Sequence, residues 1–143
     1  MDDVRRKGLI ERIGQLGLPL PDRPLPLVTL EEFFVGNDDY GSIGCNLNPM
    51  LGPQFFFEKL RLIRRQPNVQ DVLVEVVEVE EEDESMWPFS DRVYVFADAA
   101  PDAVGQWAAA LHPDAVEEGF AAGQPDSAPE LRPGFKCYSL WWD

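Results

Sequence analysis

The alternation of apolar and polar side chains is clearest over residues 71–98, where it predicts a β-hairpin. A strand reading VLVEVVEV, residues 72–79, precedes a second strand reading RVYVFA, residues 92–97. Successive side chains of a strand point to opposite faces, so the valines and Leu73 of the first strand place apolar groups on both faces. We therefore expect a covering layer on each side of the sheet. Glu75 interrupts the apolar run and is expected near a rim or a partner.

Apolar residues that recur every three or four positions predict four helices. Thr29 and Glu32 have the spacing of a capping box at the start of the second helix. Pro53 and Pro101 suit the first turns of the third and fourth, because the missing proline N–H is not needed there. The predicted helices span residues 2–16, 30–36, 53–66 and 101–111.

The segments between these elements are rich in proline, glycine and polar residues. Residues 18–27 contain four prolines and are predicted to lie extended as a rigid connector, with a proline-rich ligand for another domain as the alternative. Residues 36–48 are predicted to form a polar turn that becomes a short strand. Pro113 ends the fourth helix and begins a turn that reaches Gly119. Residues 121–134 are predicted to be a loop and residues 135–142 a strand.

From Ser42 onward the predicted order is strand, helix, strand, strand, helix, strand. This order predicts a single α+β domain with a ferredoxin-like split βαβ sheet (βαββαβ), in which residues 1–28 form a helical and proline-rich extension of a core at 29–143. The 42–48 and 91–97 strands would be central, flanked by 71–79 and 135–142, and Cys45 and Cys137 would lie on neighbouring strands. Gly41 and Gly44 weaken the first strand, so an antiparallel meander packed by helices is the alternative.

Charge is the most unusual property of the composition. The 143 residues include 26 acidic and 12 basic side chains, which give a formal net charge of −14. Residues 66–91 hold nine acids and residues 93–131 hold seven, in both cases without Lys or Arg. Such a surface repels nucleic acid and anionic membranes, and it attracts a basic protein partner.

No targeting segment is recognisable in the sequence. Glu11 and Arg12 interrupt the short apolar patch that follows the N-terminal basic residues, and no run approaches the roughly 20 apolar residues that cross a bilayer. Two cysteines, Cys45 and Cys137, lie far apart in the sequence and do not indicate a disulfide framework. We therefore expect reduced thiols, a cytoplasmic location and no membrane association.

The sequence predicts no catalytic residue, metal or cofactor. A closed zinc site needs four ligands, and Cys45, Cys137 and His112 are the only Cys and His residues. A calcium loop of the EF-hand type needs a glutamate at its twelfth position, and Asn48 stands there if the loop starts at Asn37. The same three Cys and His residues offer the one thiol–imidazole pairing, which has no further support.

The favoured hypothesis is a small acidic module that binds a basic protein, for example an inhibitor of the immunity-protein or antitoxin kind. Such a module needs charge complementarity and a few aromatic anchors rather than catalytic groups. The partner-binding residues predicted on this basis are Glu80, Glu81, Glu82, Asp83, Glu84, Trp87, Phe89, Trp141 and Trp142.

Two other hypotheses remain open. One is a small-molecule site, or an enzyme with a weak sequence signal, built from the polar turn; its candidate residues are Asn37, Asp38, Asp39, Ser42, Cys45 and Asn46. The other is homodimerisation, so the chain is expected to be a monomer or a homodimer. The basic cluster of the first helix is either a solvated face or docks on an acidic surface of this chain or of a second copy; its members are Arg5, Arg6, Lys7 and Arg12.

Overall fold

Five antiparallel strands form one sheet in the computed structural model, which describes all 143 residues. The strands are β1 (Leu27–Thr29), β2 (Val69–Glu75), β3 (Arg92–Ala97), β4 (Ala115–Glu118) and β5 (Lys136–Trp141). Their spatial order is β1-β2-β3-β5-β4. β2 and β3 pair along their length with Leu73 opposite Tyr94, which confirms the predicted hairpin.

Four α-helices accompany the sheet: α1 (Asp3–Leu16), α2 (Leu30–Phe34), α3 (Pro53–Arg64) and α4 (Pro101–Trp107). Short 3-10 turns at Tyr40–Ser42 and Ala109–Leu111 follow α2 and α4. The predicted fourth helix is thus split, with regular α-helix ending at Trp107. No helix of the protein combines the length and the apolar composition needed to cross a bilayer.

Both faces of the sheet are covered, as the two-sided apolar pattern of β2 predicts. Val72 and Val74 belong to the main core, to which helices α1 to α4 contribute. Leu73 belongs to a second, smaller cluster with Tyr94 and Phe96, packed against Phe120 from the loop that follows β4. The loop after β4 therefore acts as the second covering layer.

The structure confirms the α+β class and a single sheet-based domain, but it does not confirm the ferredoxin-like order. Residues 42–48 do not form a strand, and the three long strands β2, β3 and β5 are consecutive neighbours. This arrangement corresponds to the antiparallel alternative with packed helices. Leu9 and Ile13 of α1 lie in the main core and β1 is a strand of the sheet, so the N-terminal segment contributes to the same domain.

The backbone around Gly44 explains why the predicted first strand is absent. Gly44 has φ +63°, and a Cβ there would lie 2.6 Å from the Phe56 ring, so the chain turns sharply against α3. A single bridge between Ile43 and Ser90 is the one sheet-like pairing in this stretch. Cys45 is exposed, whereas Cys137 is buried on β5 between β3 and β4. The prediction that the two cysteines lie on neighbouring strands is wrong.

The capping box predicted at α2 is present. Thr29 Oγ1 accepts from Glu32 N, and Glu32 Oε1 accepts from Thr29 N, both at 3.0 Å. Thr29→Ala is expected to lower the free energy of unfolding by about 1 kcal/mol, because it leaves the Glu32 N–H without its acceptor. Thr29→Ser retains the hydroxyl and should lose much less. Urea denaturation of both variants measures this difference, and equal losses would show that the methyl group, not the cap, matters.

Candidate functional site

The acidic loop, defined here as residues 80–86, is held in place by Arg6 of α1. Arg6 is 3% exposed, although it belongs to the basic face of the helix. Its Nε donates to Met86 O at 2.7 Å, and its Nη2 donates to the carbonyl oxygens of Glu80 and Asp83 at 2.8 Å and of Glu81 at 3.3 Å. Of the basic cluster, Arg6 alone contacts the acidic loop, and its partners are backbone carbonyls rather than carboxylates. Arg5, Lys7 and Arg12 are exposed.

Because the carbonyls of the acidic loop point inward to Arg6, its carboxylates are left on the outside. All of residues 80–86 are exposed. Two internal turns order the backbone, with Asp83 N donating to Glu80 O and Met86 N donating to Asp83 O. Asp83 also accepts from the Ser85 hydroxyl and backbone N–H, and these hydrogen bonds lower the pKa of Asp83. The result is a preorganised negative surface.

Like charges are crowded at the start of this surface. A hydrogen bond with the Glu78 side chain, together with the negative charge of Glu78, raises the pKa of Glu80. Both side chains are exposed. A cationic group placed beside them would relieve this repulsion.

A groove of about 600 Å³ separates α1 from the acidic loop. Residues of α1 and Leu18 line one side and residues of the acidic loop the other; the lining comprises Arg6, Lys7, Ile10, Glu11, Gly14, Leu18, Glu81, Glu82 and Glu84. A second groove of about 370 Å³ runs between residues 18–20 and residues 77–81. Leu18 and Glu81 line both grooves, so the two adjoin at these residues.

The four aromatic residues predicted as partner anchors form two groups, two of them buried and two half-buried. Trp87 and Trp142 are each 1% exposed and belong to the main core, so their prediction as surface anchors is wrong. Large flat side chains bury more area in a core than at a loop surface, and for Trp87 this outweighs its position beside the acids in the sequence. Trp142 Nε1 donates to Leu111 O at 2.8 Å, while the indole N–H of Trp87 has no partner in the protein.

The other two aromatics are half-buried. Phe89 continues the hairpin beyond β2, donating its N–H to Glu78 O and accepting from Val77 N. Trp141 lies at the end of β5, where the Arg92 guanidinium stacks over its ring at 5.8 Å. Neither residue lines the grooves beside the acidic loop.

The side chains of the polar turn at residues 36–48 form hydrogen bonds within the turn and with neighbouring parts of the protein. Asn37 is buried, donates to Ser42 Oγ at 2.9 Å and accepts from Asp39 N. Asp39 accepts from Gly41 N and from Trp87 N, which ties the turn to the hairpin. Asp38 pairs with the N-terminal ammonium at 2.8 Å, and Asn46 donates to Asp114 at 2.9 Å. Of the six candidates in this turn, Cys45 alone makes no side-chain hydrogen bond.

A buried polar cluster on the second face of the sheet was not identified as a candidate site. Glu75, next to Arg92 in the register of β2 and β3, pairs with it at 3.4 Å. Tyr94 donates to Glu75 Oε1 at 3.4 Å and accepts from Ala121 N at 3.0 Å. Burial raises the pKa of Glu75 to about 7, although Arg92 opposes the shift. Glu75, expected near a rim or a partner, is thus buried beside Arg92.

Metal-binding geometry does not occur around these residues. No group of three or more His, Cys, Asp or Glu side chains converges on a common point that would hold an ion. Burial raises the pKa of the Cys137 thiol to about 12, so at neutral pH it is protonated and a poor nucleophile.

Sequence reasoning missed the residues that shape the groove. The sequence does not distinguish Arg6 from its exposed neighbours, since a helix position does not reveal which member of a basic cluster turns inward. Leu18 and Leu20 were assigned to a connector. The sequence does not distinguish these exposed leucines from Leu27 of the same segment, which is buried in β1.

The molecule is thus an α+β protein with a fixed acidic loop bordering a groove, and its sequence places it among known relatives. The chain belongs to the uncharacterized protein YfbO family, whose model matches residues 4–140. The uncharacterized protein YfbO of Escherichia coli (strain K12) is 36% identical over 140 residues, which cover 94% of this chain and 98% of that protein. No solved structure shows significant similarity to the chain.

Proposed function

We propose that the protein is a binding module that captures a basic partner protein through the acidic loop. The observation that carries this proposal is the set of hydrogen bonds from Arg6 to the loop carbonyls, called the Arg6 clamp below. The clamp orders the loop backbone so that its carboxylates face outward. A flexible acidic run would only raise the local counter-ion concentration. A fixed set of charges also sets the orientation in which a partner docks.

The form of this function that we favour is inhibition of a basic enzyme, as immunity proteins and antitoxins inhibit theirs. A rigid negative protrusion can occlude a positively charged cleft without contributing catalytic groups. We further propose that the protein acts by binding rather than by catalysis, and that it binds its protein partner in the cytoplasm. The net charge of −14 supports fast association with such a partner, since long-range attraction raises the encounter rate.

Neutralising the acidic loop is expected to weaken binding of basic proteins by about tenfold or more. The variant changes Glu80, Glu81, Glu82 and Glu84 to glutamine and leaves Asp83, which orders the loop. A control with the same change in charge replaces four exposed acids elsewhere: Asp102, Glu117, Glu118 and Glu130. Binding is measured against a panel of basic proteins and their lysine-acetylated forms across a salt series.

The comparison between the two variants decides the outcome. The proposal is supported if only the loop variant loses affinity for basic proteins and if the unmodified protein binds more weakly at high salt and to acetylated proteins. Equal losses in both variants would show that net charge alone is responsible. Absence of binding to every basic protein at low salt would contradict the proposed function.

A further inference from the structure

The groove beside the acidic loop carries an apolar strip that a purely electrostatic surface would not need. Leu18 is 50% exposed and Leu20 is 46% exposed, and both lie on the groove wall. Ile10 and Val79 are partly exposed along the same path. Exposed leucines cost solubility without adding to the core, so a cluster of them beside a built groove indicates a contact surface.

The rim of this groove is strongly negative. Its acidic members are Glu11, Glu78, Glu80, Glu81, Glu82 and Glu84. Two basic residues lie among them, and one of these, Arg6, is buried under the loop carbonyls. Lys7 is therefore the one exposed cation of the rim.

We propose that the groove formed by α1, residues 18–20 and residues 77–84 binds a segment of the partner protein in which lysines or arginines flank one or two apolar side chains. This inference rests on the proposed function and specifies the chemistry of the partner. The apolar side chains contact Leu18, Leu20 and Val79, while the cations contact the surrounding carboxylates. The negative rim requires an occupant with positive charge. The apolar strip distinguishes that occupant from a plain polycation.

Contacts within the protein hold both walls of the groove in place. On the α1 side, Leu9 and Ile13 anchor the helix in the main core. On the other side, the Arg6 clamp and the Glu78–Phe89 bridge hold the loop. Arg23 Nη2 donates to Leu18 O at 2.7 Å and fixes the end of the proline-rich segment. Binding would therefore require little ordering of the backbone, which favours affinity.

The test uses the full chain and two synthetic peptides of equal charge, one alternating lysine with leucine and the other alternating lysine with serine. Isothermal titration calorimetry at low salt is expected to show binding of the lysine–leucine peptide about tenfold tighter than that of the lysine–serine peptide. Changing Leu18 and Leu20 to serine should abolish this preference. It should leave the affinity for the lysine–serine peptide within about twofold, because the carboxylates remain.

The matched control places the same double change at exposed apolar positions outside the groove, Leu62→Ser and Leu131→Ser. Retention of the preference in this control, with its loss in the groove variant, supports the inference. Equal affinity of the two peptides for the unmodified chain would overturn it while leaving the proposed function intact. Failure of both peptides to bind would contradict the proposed function itself. Self-association in light scattering that Leu18→Ser abolishes would instead make a second copy the occupant, and would also overturn the inference.

Discussion

Replacing Arg6 by methionine is expected to lower the free energy of unfolding by about 2–4 kcal/mol. Methionine keeps the aliphatic stem in the space between α1 and the acidic loop but removes the donors that pair with Glu80 O, Asp83 O and Met86 O. Hydrogen bonds from a charged donor are stronger than neutral ones, and three or four are lost together. Urea denaturation measures the loss in stability.

The same substitution should loosen the acidic loop itself. The amides of Asp83 and Met86 are protected by turns whose geometry depends on the clamp, so their hydrogen exchange is expected to accelerate most. Arg6→Lys retains one charge but lacks the planar fork, and we expect it to recover only part of the stability. Lys7→Met is the matched control, because Lys7 is the exposed neighbour on the same helix. If Arg6→Met and Lys7→Met lowered the free energy of unfolding by the same small amount, the Arg6 clamp would make no contribution to stability.

The elements that the sequence predicted well are those whose apolar periodicity is long. α1 and α3 each present buried residues at helical spacing, Leu9 and Ile13 in one, Phe56, Leu60 and Ile63 in the other, and both were found within a few residues of the expected bounds. β2, β3 and β5 likewise have enough alternating apolar residues to identify a strand. Local pattern and tertiary packing agree in these segments.

Short strands were missed because their structure depends on partners rather than on their own pattern. β4 reads AVEE, and two glutamates in four residues give no strand signal; it forms because its backbone pairs with β5 from Trp141 to Tyr138. β1 has three residues and pairs with β2 in the same way. Conversely, the sequence of residues 42–48 resembles a strand. The left-handed backbone of Gly44 and its close approach to Phe56, which the sequence does not reveal, prevent one from forming.

The negative charge of the candidate site could be predicted from the sequence, but the three-dimensional arrangement of its residues could not. The run of acids at residues 80–84 was visible in the sequence, and so was the basic cluster on α1. That Arg6 reaches 74 to 80 residues along the chain to bind Glu80 O and Met86 O depends on the packing of α1 against the hairpin. The burial of Trp87, in the loop before β3, and of Trp142, just after β5, has the same origin, because tertiary contacts set the direction of these side chains.

Glu75→Gln is expected to remove a pH dependence of stability that extends from weakly acidic to neutral pH. Burial raises the pKa of Glu75 from its ordinary 4.5 to about 7, with Arg92 and the Tyr94 hydroxyl opposing the shift and Asp91 adding to it. Between these two values the folded protein holds a proton that the unfolded chain releases. The stabilisation from this proton is therefore complete below pH 4.5 and is lost as the pH rises to 7.

The neutral glutamine cannot lose a proton, so the variant keeps its stability where the unmodified protein loses it. Relative to the unmodified chain, Glu75→Gln should gain about 2–3 kcal/mol on going from pH 4.5 to pH 8, a value that follows from the shift of the pKa. Urea denaturation at both pH values gives this difference. Glu117→Gln is the control, because it makes the same chemical change at an exposed position of β4. A constant effect of Glu75→Gln would mean that Arg92 holds the carboxylate charged throughout. The cluster with Tyr94 would then be a permanent ion pair, and the loop hydrogen bond from Ala121 N to Tyr94 would be independent of pH.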